Sequence, residues 1–203
     1  MFDRRSLIKG LGLGTLVAGG TAASAASAAS AASMPAPSSG DSPNEADLGF
    51  YTDMAFHHEQ ALAMCQRVLG SDIGGSVQNA AAELLQNQSY ERGLMHSRLQ
   101  QWGESTAPPT EVMAWMGMAM DASMMPGLAS DDEMRDLAKA TGTQKGTMFL
   151  ELMTTHHEGG IHMAEMAMEM ASDEGVINLA SRMSRTQAYE IQVYDMLLAA
   201  ENY

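Results

Sequence analysis

The chain has 203 residues, is 45% hydrophobic and carries a formal net charge of −14, with one cysteine, six histidines and 20 methionines. This length suffices for a single domain with a real core once any leader is removed. The acidic balance makes nucleic acid a poor partner, and a lone cysteine, Cys65, excludes an intramolecular disulfide.

Residues 1–33 read as a cleavable export signal. Arg4 and Arg5 stand in "RRSLIK", a short apolar run follows at 11–17, and "AASAASAASAAS" offers small-residue cleavage sites. The run is too short to cross a bilayer, so no membrane span is expected in the mature chain. The paired arginines point to twin-arginine export, with an ordinary secretory signal as the alternative. Either route predicts a periplasmic or extracellular protein. A linker at 34–43 would lead into one helical domain over 44–203.

Within that domain, residues 50–100 align with 149–199 at a constant offset of 99, without a gap. The matches include Phe50/Phe149, Met54/Met153, His57/His156, His58/His157, Glu59/Glu158, Met64/Met163, Gln88/Gln187, Tyr90/Tyr189 and Glu91/Glu190. Two copies of one helical hairpin, at 44–102 and 143–202, is the simplest reading.

The first helix should start at "SPNE", with Ser42 as N-cap, Pro43 at the first helical position and Glu45 closing a capping box, and run to about residue 70. A Gly-Ser turn precedes a second helix over about 76–102. A crossover at 103–142 follows, interrupted by prolines and glycines, with a short helix capped by Ser130 and Glu133. Two further helices are expected over about 143–171 and 175–202. The fold class is all-α: a ferritin-like four-helix bundle of two hairpins joined by a long connection.

At 100° per residue, Met54, His57, His58, Ala61, Met64 and Cys65 share one stripe, and Met153, His156, His157, Gly160 and Met163 repeat it. The histidines therefore point inward, with room beside them at Ala61 and Gly160. One reading makes each a core histidine satisfied by a carboxylate. The other makes the pairs metal ligands: imidazole suits copper, zinc, nickel or iron, while soft thioether sulfur selects copper(I), so the combination points to copper. Glu91 and Glu190 would then be ligands for the oxidised ion or acceptors that orient the rings, against simple solvent exposure.

The crossover holds Met113, Met116, Met118, Met120, Met124 and Met125 within thirteen residues. These form either a secondary copper(I)-loading segment that becomes more ordered when the ion binds, or a hydrophobic strap anchored by Trp115. His162, with Glu158, Glu165 and Glu169, falls on the opposite helix face as a polar surface or a weaker cation site.

The segments "DMAFHHEQALAM" and "MTTHHEGGIHMAEMA", each followed by Gln-x-x-Glu, resemble the secreted bacterial domain-of-unknown-function family 305. The resemblance implies a ferritin-like bundle, an exported location and, for some relatives, copper binding or tolerance. The Gly-Gly after the second His-His-Glu and Cys65 beside Met64 depart from the pattern.

The functional class expected is a non-enzymatic exported protein that sequesters copper, as Cu(I) or Cu(II), or hands it to a copper-handling partner. A ferritin-like oxidoreductase is the competing class. Di-iron and di-manganese bundles use Glu-x-x-His on two helices, a spacing this chain lacks. A metal-free methionine-rich scaffold or oxidant sink is the third.

Overall fold

A computed structural model describes residues 42–200. The expected leader and nearly all of the expected linker lie outside the described residues. The observed order is α1 (Glu45–Val68), α2 (Gly75–Gln101), β1 (Glu111–Val112), β2 (Met120–Asp121), α3 (Asp131–Lys139), α4 (Gly142–Met170) and α5 (Glu174–Ala199). The four long helices match the predicted hairpins to within a few residues. Helix α1 pairs with α2 and α4 with α5, and the two hairpins meet mainly through α1 against α4. Among the described residues no helix is long and apolar enough to cross a membrane.

The capping box of α1 lies two residues later than expected. Asn44 is the N-cap, accepting from the Asp47 amide at 2.8 Å, while the Asp47 carboxylate accepts from the Asn44 amide at 2.8 Å. Asparagine caps as well as serine, and Pro43 falls outside the helix. Asp47 is fully buried because it also accepts from the amides of Ser172 and Asp173, at 3.0 and 2.9 Å, in the α4–α5 turn. Asp173 in turn caps α5 and pairs with Arg98 of α2 at 2.8 Å. One carboxylate thus ties the start of α1 to the end of α4, which sets the two central helices antiparallel. The predicted Ser130/Glu133 box starts α3 as expected.

The crossover lacks a continuous helix, as its prolines imply, but it is folded. Strands β1 and β2 pair antiparallel, Glu111 with Asp121 and Val112 with Met120. Between them Met113 adopts a left-handed conformation and Trp115 turns into the core. Asp53 of α1 anchors this turn, accepting from the Met113 amide at 2.7 Å and from the Trp115 indole at 2.9 Å. Gly49, one turn earlier, is required by close approach, since a Cβ there would collide with the Trp115 ring. The crossover is thus a folded strap anchored by Trp115, one of the two forms expected of it, with Asp53 and Gly49 as its seat.

Removing the Asp53 acceptor should leave two buried donors without a partner. Asp53→Ala is expected to cost about 2–4 kcal/mol, from two lost hydrogen bonds to a charged acceptor and the desolvation of their donors. It should also speed amide hydrogen exchange across residues 111–125. Urea unfolding and exchange mass spectrometry check this; wild-type exchange in the strap would contradict the anchoring role.

Candidate metal centre

Helical periodicity directs both His-His pairs into the α1–α4 interface, and all four imidazoles have no solvent exposure. Because α1 and α4 are antiparallel copies offset by 99 residues, they are related by an approximate two-fold axis. A residue on that axis faces its own counterpart. His57 and His156 are such a couple: their rings stack with centroids 3.7 Å apart and planes inclined by 29°.

His58 and His157 flank this stack, each reaching the second helix of its own hairpin. His58 Nε2 lies 2.9 Å from Glu91 Oε2, and His157 Nε2 lies 2.8 Å from Glu190 Oε2. With the Nε2 proton donated to the carboxylate, the Nδ1 lone pair of each ring is left facing the interior, and neither Nδ1 has a hydrogen-bond partner. The reading of Glu91 and Glu190 as simply solvent-exposed is thus corrected: they are the rim of the buried centre, and their carboxylates orient the rings.

The two-fold is broken where the crossover passes. His156 Nε2 donates to the His57 carbonyl at 2.9 Å. The matching bond, His57 Nε2 to the His156 carbonyl, is missing, and both ring nitrogens of His57 are unpaired. Gly127 occupies the gap: a Cβ there would lie 3.1 Å from His57 Nε2, from the His156 carbonyl and from Gly159 Cα alike. The Gly159–Gly160 pair that departs from the first copy is explained in part by this approach, since a side chain at Gly159 would strike the Pro126 carbonyl. Gln60 holds the strap down, accepting from the Ala129 amide at 2.6 Å and donating to its carbonyl at 2.8 Å.

The room expected beside Gly160 is filled by the Gln187 side chain. Gln187 and its counterpart Gln88 are buried, and Gln187 Oε1 and both amide atoms of Gln88 lack partners. Sequence reasoning matched these glutamines between the copies without assigning them to the site; their equal offset was the available signal. Tyr194, also missed, places its hydroxyl 3.5 Å from His157 Nε2.

The thioethers are distributed differently from the sequence grouping. Met54 and Met163, from different copies, share one buried cluster, and Met64 and Met153 share the other. Antiparallel packing brings the start of one motif beside the end of its copy. Of the crossover methionines, Met113 and Met125 are buried in the first cluster, Met116 and Met120 pack against it, and Met118 and Met124 are exposed. Four of the six are thus gathered at one cluster and two lie at the surface. Glu158, His162, Glu165 and Glu169 are exposed on the outer face of α4, as predicted. Cys65 is buried among apolar neighbours, which pushes its thiol up to about 12 and keeps it a neutral thiol.

Among the described residues no group of three or more His, Cys, Asp or Glu side chains is arranged to hold a metal ion. Any ion at the centre would therefore need thioether or amide donors to supplement imidazole. The buried unpaired nitrogens and amides fit such a ligand set, because buried polar atoms ordinarily have partners and here a repeated set of them does not.

Burial holds both His57 and His156 well below the ordinary histidine range; the neighbouring imidazole of His156 adds to the effect on His57, and that of His157 to the effect on His156. Unfolded, each ring takes a proton near pH 6.5; folded, each stays neutral to much lower pH. The unfolded chain binds more protons in that window, so stability should fall as pH drops below about 6.5, by up to about 1.4 kcal/mol per pH unit for each ring. Urea midpoints measured between about pH 8 and 5 check this, with a shallower dependence expected for His57→Gln/His156→Gln.

Comparison with known proteins agrees with this architecture. The family model described as domain of unknown function 305 matches residues 47–198. A DUF305 protein described as secreted, from Streptomyces coelicolor, is 37% identical with a TM-score of 0.71, over 76% of this chain and 92% of that one. A DUF305 fragment from Deinococcus radiodurans is 26% identical with a TM-score of 0.67, over 78% and 99%. CopM in its Cu(II)-bound form is 25% identical with a TM-score of 0.59, over 75% and 95%; its Cu(I)-bound form, 22% identical, shares the fold. No curated protein matches the chain. The helical fold, the doubled His-His motif and the family match over most of the chain together place this protein in the DUF305 family.

Proposed function

We propose that this chain is an exported copper-binding protein that sequesters the ion, confers tolerance to it or transfers it to a partner, without catalysing a reaction. The observation that carries the reading is the unpaired Nδ1 of His58 and of His157, each fully buried in a ring whose Nε2 is directed at a carboxylate. This is the arrangement in which a histidine binds a metal: the outer carboxylate fixes the tautomer and raises the basicity of the inward nitrogen. Glu91 and Glu190 thus act as ring-orienting acceptors. His57 and His156 supply further imidazole nitrogens, and Met54, Met163, Met64 and Met153 supply thioethers.

Imidazole with thioether favours copper over harder divalent ions, and the likeness to CopM, solved in a Cu(II)-bound form, supports the same ion. The paired arginines, short apolar run and small-residue repeat that read as a leader at 1–33, and the Streptomyces coelicolor relative described as secreted, support export. Bound copper would supply a positive charge to this interior. The chain's residues bind it, orient the rings and exclude water. Transfer to a copper-handling partner would follow from several modest sites in place of one rigid cage.

Glu91→Gln/Glu190→Gln should weaken copper(II) binding about 10–100-fold with unchanged far-ultraviolet circular dichroism, because both residues sit at the rim of the bundle. Replacing His57, His58, His156 and His157 together by Ala should abolish the tighter copper(II) binding. Calorimetric titration and electron paramagnetic resonance are the measurements. A helical quadruple variant that binds copper(II) like the wild type would sink the reading.

A further inference from the structure

All four imidazoles of the centre are without solvent exposure, so an ion reaches them only when part of the surrounding wall moves. Three kinds of wall enclose the rings. The long helices are one, held by their own backbone hydrogen bonds. The rim glutamates are the second: there, charge-assisted bonds of 2.9 and 2.8 Å close the Nε2 sides of His58 and His157, and the unpaired Nδ1 atoms lie behind the rings. The strap is the third, where residues 126–129 pass over His57.

This stretch is the part of the wall most easily moved. Pro126 has no amide hydrogen to donate. Leu128 donates within the strap, to the Met125 carbonyl at 3.2 Å. Among the described residues, the only hydrogen bonds tying 126–129 to a helix are those of Gln60, which holds the Ala129 amide at 2.6 Å and its carbonyl at 2.8 Å. Both join neutral groups, and Gln60 is half-buried, so water competes for them. The ends of the stretch are fixed: Met125 is buried in the first core cluster, and Ser130 caps α3. Gly127, between them, has a φ of +89°, and glycine enters and leaves that conformation without a steric penalty. What lies beneath fits this mobility. His57 is the one ring of the four with both nitrogens unpaired, and a Cβ on Gly127 would lie 3.1 Å from its Nε2. The flap therefore covers that nitrogen with bare backbone.

We propose that residues 126–129 are the entry flap of the centre, that Gln60 is its latch, and that His57 is the first imidazole an incoming copper ion meets. This rests on the copper reading above. Opening breaks the two Gln60 bonds and moves the Gly127 backbone off His57, while Asp53 keeps the Trp115 turn seated. Closing restores the wall without changing the final donors. The latch therefore sets the rates of entry and exit and leaves affinity nearly unchanged.

The test compares the full mature chain with Gln60→Leu, which keeps the side chain's bulk and removes both bonds. Stopped-flow mixing with copper(II), and of the loaded protein with excess chelator, gives the two rates. Gln60→Leu should raise both about tenfold, with Kd changed less than about twofold. Hydrogen exchange in the copper-free wild type needs no variant: the Ala129 amide should exchange at least about 100-fold faster than the amides of α1 and α4 around the histidines. Wild-type rates in Gln60→Leu, or an Ala129 amide as protected as those helix amides, would overturn the flap and leave the copper reading standing. So would faster association in Glu91→Gln/Glu190→Gln with none in Gln60→Leu, which would place entry at the rim. A wild-type chain that binds no copper would overturn both.

Discussion

Four imidazoles packed without solvent into the interface of two antiparallel helices are the constraint on which the rest of this structure depends. Imidazole is polar, and a buried ring with an unpaired nitrogen is costly. Here the cost is met unevenly. His156 is satisfied once by the His57 carbonyl, His58 and His157 once each by a glutamate, and His57 by no protein atom. A core selected only for stability would place apolar residues on these stripes, as the neighbouring positions Phe50, Val68, Phe149 and Leu150 of the same helices do.

The surrounding architecture serves to hold those rings in place. Asp47 and Asp173 lock the ends of the helices and so set the antiparallel register that brings His57 onto His156. Glu91 and Glu190 sit at the rim, where a carboxylate keeps part of its hydration while its other face points at a buried nitrogen. Their side chains are 19% and 17% exposed, so each carboxylate still reaches water. Gln88 and Gln187 bring further amide groups into the bundle interior, of which both atoms of Gln88 and the oxygen of Gln187 are unpaired.

Duplication would make the centre symmetric, and the crossover is what breaks the symmetry. It cannot pass over both halves at once. Its anchors, Asp53 beneath Trp115 and Gln60 beneath Ala129, both lie on α1, so its buried methionines join one half and Gly127 closes over His57. The counterparts of the anchoring residues on α4 are Leu152 and Gly159, neither of which has a side chain able to hold a second strap. Chemical difference between two copies of one hairpin thus follows from a few residues that diverged beside it.

Much of this was legible in the sequence. Residue spacing within a helix determines which side chains share a face, so the four helices, the 99-residue repeat, the inward histidines and the exposed His162 face follow from the chain alone. Doubled Gln-x-x-Glu also marked Glu91 and Glu190, although spacing along α2 and α5 could not say whether they point at the histidines. What only tertiary structure decided is how faces from different helices meet. The stacking of His57 on His156, the exchange of methionine partners between copies, the filling of the Gly160 space by Gln187, and the folding of the crossover through Asp53 and Trp115 all depend on contacts between residues far apart in the chain. Periodicity constrains rotation about one helix axis; register, crossing and direction between axes are fixed by packing and by buried hydrogen bonds such as those of Asp47, which no local pattern encodes.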